Sequence, residues 1–213
     1  MRLSGLLLLL GLLACRPAAM AASFTFQITD GGGRALADAV VTLTADGDAG
    51  PAKPLPPREH FIDQQDETFI PAVEVVPVGD VVIFRNSDRT RHHVYSFSPL
   101  ATFDYVLKPN EQSQPIKLQK PGVVAVGCNI HDFMLNYLFV TDSRWAAKSD
   151  DKGAITLAEV PAGSYVAHFW HPRLRPGAPQ PAQKVTVGAE PGKLGVSLPV
   201  LPERKDDGER SRY

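Results

Sequence analysis

Cysteine is scarce in this chain: Cys15 and Cys128 are the only two among 213 residues. Charge of one sign is missing as well. Lysine and arginine total 22 against 23 aspartate and glutamate, a net charge of −1 that gives no electrostatic ground for binding DNA, RNA or an anionic membrane. Long helical periods are few, and no heptad run, solenoid repeat or phosphate-cradling glycine motif occurs. No Ser-His-Asp pattern stands out either. What is abundant is proline and glycine, 19 and 17, within an ordinary globular composition of 44% apolar and 21% charged residues. That combination favours a turn-rich all-β protein, long enough for one large domain or two small ones.

The one long apolar run is at the start. "MRLSGLLLLLGLLACRPAAMAAS" has Arg2, a leucine-rich stretch from Leu6 to Ala14, and small residues ending at Ala19-Met20-Ala21. This is a secretory signal pattern, residues 1–22, and its apolar run is too short to span a bilayer. It implies a periplasmic location. "LLAC" also resembles a lipoprotein signal with Cys15 as the lipid anchor, although Leu13 fits that pattern poorly. Loss of Cys15 with the signal leaves Cys128 as a lone thiol in an oxidising compartment. Such a thiol is a liability unless it is buried or bound to something.

Past the signal, "FTFQIT" and "DAVVTLT" read as two strands joined by a "DGGG" turn. Residues 47–59, rich in Gly, Pro and Ala, read as a linker, with His60 solvent-exposed beside it. Short β runs then extend from Phe69 to Val140: "VEVVPVGDVVIFRN", "HHVYSFS", "QPIKLQ", "GVVAVG" and "YLFVT". Further strands follow Asp142 in "SDDKGAITLAEVPAGSYVAHFWHP", "AQKVTV" and "KLGVSLPV", and residues 202–213 are charged, aperiodic and expected to be disordered.

Between "GVVAVG" and "YLFVT", the apolar pattern breaks for Cys128, His131 and Met134. Thiolate, imidazole and thioether are soft ligands, and two His, one Cys and a weak axial Met make a blue-copper set. The second His must come from elsewhere, and "RHHVYSF" offers His92 and His93 at the start of another strand. Alternation along a strand puts those two on opposite faces, so only one can reach a given ion. His168 and His171 in "HFWHP" have His-x2-His spacing but no third soft ligand nearby, and packing around Trp170 explains them more simply.

The segment from Phe61 to Thr141 resembles the cupredoxins, and its Cys-x2-His-x2-Met loop is most similar to that of the amicyanins. Asn86, His92 and Val94 reproduce the family's upstream spacing. The resemblance therefore implies one type 1 copper site built from His92, Cys128, His131 and Met134, with His131 as the electron's exit. "HHVYSFS", "GCNIHDFM" and "WHP" also resemble periplasmic methylamine-utilisation-type proteins. Asp132 stands where amicyanin-like loops carry Pro, and the strand into Cys128 lacks their aromatic residues, which weakens any inference about partner docking.

"FTFQITDGGGRALADAVVTLT" is similar to the first two strands of a carboxypeptidase-regulatory-like β-sandwich. The rest of that pattern returns only at Asp150 or Asp151, Gly153, Pro161, Gly163 and Tyr165. Two strands alone cannot bury a face. The expected architecture is thus all-β: a Greek-key cupredoxin sandwich over 60–141, inserted into a second small sandwich made of 24–46 and 142–201. The alternative is that Phe24 to Thr44 simply adds strands to the first sheet.

A filled Cys-His-His-Met set leaves no open position for substrate, which points away from an enzyme and towards a one-electron carrier. Its partner would be a c-type cytochrome or a dehydrogenase, with no nucleic acid and no membrane span. The competing readings are a copper carrier or sensor without redox traffic, and a metal-free envelope module. Three methionines in all argue against a Met-rich copper-handling protein.

Overall fold

The computed structural model describes residues 21–47 and 56–203. Nearly all of the expected signal peptide, Cys15 included, lies outside the described residues, as do positions 48–55 of the linker and 204–213 of the tail. All regular structure among the described residues is β, as expected from composition. No helix there is long and apolar enough to cross a membrane.

Two strands come first, β1 (Ala21–Asp30) and β2 (Val40–Ala45). Nine follow the linker: β3 (Glu59–Gln65), β4 (Thr68–Ile70), β5 (Val73–Pro77), β6 (Val81–Asn86), β7 (His92–Ser98), β8 (Ala101–Leu107), β9 (Ile116–Lys117), β10 (Gly122–Cys128) and β11 (Leu135–Thr141). Five complete the chain: β12 (Trp145–Lys148), β13 (Ala154–Pro161), β14 (Gly163–Trp170), β15 (Ala182–Val187) and β16 (Gly192–Leu198). β3, β4, β8 and β12 are additions to the sequence reading.

β1 shows why the early segment is a strand. Ala22, Phe24, Phe26, Ile28 and Asp30 are buried in strict alternation, the two-residue period of a pleated chain with one face on a core. Its partners are distant in sequence. β13 pairs antiparallel on one side, Phe26 opposite Ile155, and β16 pairs parallel on the other, Phe26 opposite Leu194. β2 lies between β12 and β14 in a second sheet, with Leu43 facing Trp145 and Ala167. The two sheets share one core, in which the Phe26 and Phe169 rings meet edge to face at 5.6 Å. Among the described residues, ladders from 24–45 reach 145–198 and none reaches 59–141.

Side chains close the turns of this sandwich. Asp30 Oδ1 accepts the N–H groups of Gly32 and Arg34, and Asp150 Oδ1 accepts those of Lys152 and Ala154. Tyr165 donates its hydroxyl to the Pro161 carbonyl at 2.8 Å, a tyrosine corner that fixes the β13–β14 reversal.

The middle segment forms the other sandwich. One sheet runs β5-β11-β10-β7-β8 and the facing sheet β4-β3-β6-β9. Phe84, Val94, Val126 and Leu138 are buried between them, together with Cys128 and Met134. A third, small cluster of Val40, Val73 and Phe139 packs with Trp170 and links the two sandwiches. His60 corrects the sequence reading. It is the second residue of β3, with Nδ1 2.8 Å from Glu74 and Nε2 2.8 Å from Asp80, and its side chain is 13% exposed.

Candidate metal centre

The site begins with a buried asparagine at the end of β6. Asn86 Nδ2 donates to the carbonyls of Thr90 and Leu107, both at 2.9 Å, and Oδ1 accepts the Asp88 N–H. One side chain thereby satisfies three main-chain groups and fixes the loop that enters β7. Alternation along β7 then decides which histidine turns inward. His92 and Val94 are fully buried, whereas His93 lies on the outer face with Nε2 2.7 Å from Asp104 and Nδ1 facing the Asn129 amide.

β10 supplies the thiol. Gly127 pairs with Tyr95 and Cys128 with Val94, so strand register carries Cys128 beside His92 although 36 residues separate them. The loop after Cys128 folds back on itself. Met134 N–H donates to the His131 carbonyl at 3.0 Å, Cys128 N–H to the Met134 carbonyl at 3.3 Å, and Asn129 N–H to the His93 carbonyl at 3.0 Å. These bonds bring His131 and Met134 back towards the cysteine. Met134 is buried in the same core as Cys128.

Cys128 Sγ lies 3.7 Å from His92 Nδ1 and 3.8 Å from His131 Nδ1, and the three ligand atoms all fall within 4.8 Å of one another. An ion bonded to nitrogen at about 2.0 Å and to thiolate at about 2.3 Å would subtend about 120° between the sulfur and each nitrogen at these separations. The donor set, two imidazole nitrogens and a thiolate with a thioether in the same loop, fits copper in softness as well as spacing. It is the only such cluster of His, Cys and carboxylates among the described residues. His168 and His171 do not join a second one. His171 is buried, with Nε2 donating to the Ala37 carbonyl and Nδ1 accepting the Arg173 N–H.

Two carboxylates stand behind the imidazoles, and sequence reading found neither. Asp88 Oδ2 is 2.8 Å from His92 Nε2, and the same carboxylate accepts N–H groups from Asp66 at 2.6 Å and Glu67 at 3.0 Å. Burial alone would raise the Asp88 pKa, but hydrogen bonds from Glu67, His92 and Asp66 outweigh it and hold the carboxyl below its usual value. Glu67 Oε1 is 3.7 Å from His131 Nε2, an electrostatic contact beyond hydrogen-bond distance. His131 is 17% exposed, against 0% for His92, so it forms the edge of the site nearest solvent. Ile130, Phe133 and Leu135 are exposed beside it in sequence.

No protein-family model matches the chain, and no curated protein sequence is significantly similar to it. Solved structures with partial similarity include cupredoxins and a copper enzyme. A Cu-containing nitrite reductase from Thermus scotoductus is 26% identical, with a TM-score of 0.34, over 46% of this chain. The match spans 25% of that enzyme's own length. A purple cupredoxin from Nitrosopumilus maritimus is 18% identical over 38% of this chain and 98% of its own, TM-score 0.35. Amicyanin from Paracoccus versutus is 15% identical over 47% of this chain and 98% of its own, TM-score 0.36.

Proposed function

We propose that the sandwich over residues 60–141 binds one copper ion in a type 1 site through His92, Cys128, His131 and Met134, and that the protein is a periplasmic one-electron carrier. The observation that carries this reading is the convergence of two imidazole Nδ1 atoms on a buried, free cysteine sulfur at 3.7–3.8 Å. Copper, when bound, supplies the cupric–cuprous couple. The chain's part is to hold the ligands and exclude water. Strand register fixes Cys128 and His92 in the core, and the loop hydrogen bonds fix His131. Ligands locked before binding need little rearrangement when the charge changes, which suits electron transfer.

His131, the most exposed ligand, is the exit for the electron. The Glu67 carboxylate beside its ring, and Asp132 next to it in sequence, favour a partner with a basic rim, such as a c-type cytochrome or a dehydrogenase. The ladder pattern supports a division in which the copper-binding sandwich is inserted into a discontinuous one of residues 24–46 and 142–201.

Copper-loaded protein should show an intense visible thiolate-to-copper band and reversible one-electron reduction. Cys128→Ala should abolish that band, and a variant that stayed blue would refute the ligand assignment. A blue protein that exchanged electrons with no soluble donor or acceptor would favour copper storage or sensing over electron transfer.

A further inference from the structure

The buried ligand His92 is held at both ends. Its Nδ1 faces the cysteine sulfur, and its Nε2 meets Asp88 Oδ2 at 2.8 Å. An ionised carboxylate can only accept, so the neutral ring carries its proton on Nε2 and leaves the Nδ1 lone pair free. Asp88 is itself held in place. It accepts N–H groups from Asp66 and Glu67, two consecutive left-handed residues with φ of 52° and 55°, at the tip of the β3–β4 hairpin. That tip also carries the Glu67 carboxylate 3.7 Å behind the His131 ring. One hairpin turn therefore sets a negative group behind each imidazole.

We infer that Asp88 is a positioning residue for the metal site: it selects the ligating tautomer of His92, anchors the 66–67 turn that brings Glu67 behind His131, and biases the site towards the oxidised ion. A negative charge behind an imidazole raises its basicity and favours the more highly charged metal state. Asp88 does more of this than Glu67. It is nearly buried and in hydrogen-bond contact with its ring, whereas Glu67 is 45% exposed, so water screens it. The tautomer part of the inference stands without any metal, and only the redox part rests on the copper reading.

Three measurements test it. In metal-free protein, imidazole nitrogen NMR should show His92 protonated at Nε2; protonation at Nδ1 would overturn the assignment. Asp88→Asn keeps the shape but can turn an amide N–H towards the ring, which should shift His92 towards the Nδ1–H tautomer and weaken Cu(II) binding by about 10–100-fold. Each tenfold loss of Cu(II) relative to Cu(I) affinity raises the potential by about 59 mV. Glu67→Gln should raise it by less. Unchanged tautomer, affinity and potential in Asp88→Asn would reduce Asp88 to a turn anchor and refute the inference. Should that variant fail to fold, the wild-type tautomer decides alone. Failure of the copper reading would look different: the wild-type protein would lack the blue band while the His92 tautomer stayed as stated.

Discussion

Protonating His171 should unfasten the loop that follows β14. The ring is 5% exposed, and both nitrogens are committed: Nε2–H donates to Ala37 and the bare Nδ1 accepts the Arg173 N–H at 3.0 Å. A proton on Nδ1 would set donor against donor and place a second cation beside the Arg173 guanidinium. Burial, then that guanidinium, depresses the pKa from 6.5 to about 4. As pH falls below 6.5 the unfolded chain takes up the proton first, so the stability from neutral His171 is complete above pH 6.5 and lost towards pH 4. A depression of about 2.5 pK units at 1.36 kcal/mol each gives a loss of about 3 kcal/mol once pH is below 4. Denaturant unfolding of wild type and His171→Gln from pH 7.5 to 4 measures it, because glutamine keeps a donor and an acceptor but does not titrate. The variant should lose less stability than wild type over that range, by a difference approaching this amount. Parallel curves for the two proteins, or an NMR titration of His171 near pH 6.5, would refute the reasoning.

Met134→Leu should keep a coloured site and raise its potential, since a weak axial donor tunes the ion rather than holding it; cyclic voltammetry reads the shift, and a colourless variant would count against the axial role. Gly153→Ala should destabilise the sandwich that contains β1 and β13 by on the order of 1–3 kcal/mol in thermal or denaturant unfolding, because φ is +74° and the new Cβ would meet the Ile28 carbonyl oxygen. His60→Leu should cost about 1–3 kcal/mol by leaving Asp80 and Glu74 without their shared donor. The Glu74 hydrogen bond, opposed by burial and aided by Asp80, raises the His60 pKa above 6.5. Its contribution is therefore complete below pH 6.5 and fades as pH rises through the raised value, the opposite sense to His171. A wild-type-minus-variant difference that grew with pH would contradict this.

Sequence reading reached some features and missed others for a physical reason: it sees what closes locally. The Cys-x2-His-x2-Met loop folds back through bonds spanning three to six residues, so spacing alone placed its side chains together. The Asp150 turn and the Tyr165 corner each close over four residues, at positions that in sequence belong only to a resembled pattern, with Asp151 open beside Asp150. Strand alternation lets only one of His92 and His93 face a given ion, and the resemblance to cupredoxins, through the Asn86 spacing, implies His92; in the structure His92 lies in the cluster and His93 outside it. β3 escaped notice because a strand was sought as an apolar run. In "EHFIDQQ" the buried positions are Ile62 and Gln64, and the Gln64 amide N–H donates to the Arg85 carbonyl. A histidine beside a proline-rich stretch looks solvated in sequence, but Glu74 of β5 and Asp80 of the turn before β6 close on His60.

The outer carboxylates were invisible for the same reason carried further. In "NSDRTRHH", Asp88 has the look of an ordinary loop residue, and nothing local tells which way its side chain faces. Its role depends on the hairpin tip at Asp66 and Glu67, brought within 3.0 Å by the parallel pairing of β3 with β6. That pairing sets Gln64 opposite Asn86, so the two chain ends beyond them, 65–67 and 87–88, leave the sheet side by side. The register that brings the turn to Asp88 thus starts from a strand whose inward residues are one isoleucine and one glutamine. A change at Ile62 or Gln64 that slipped this register by one residue would turn both inward side chains out of the core. It would also move Glu67 and the Asp88 anchor away from the imidazoles while leaving every ligand residue in place.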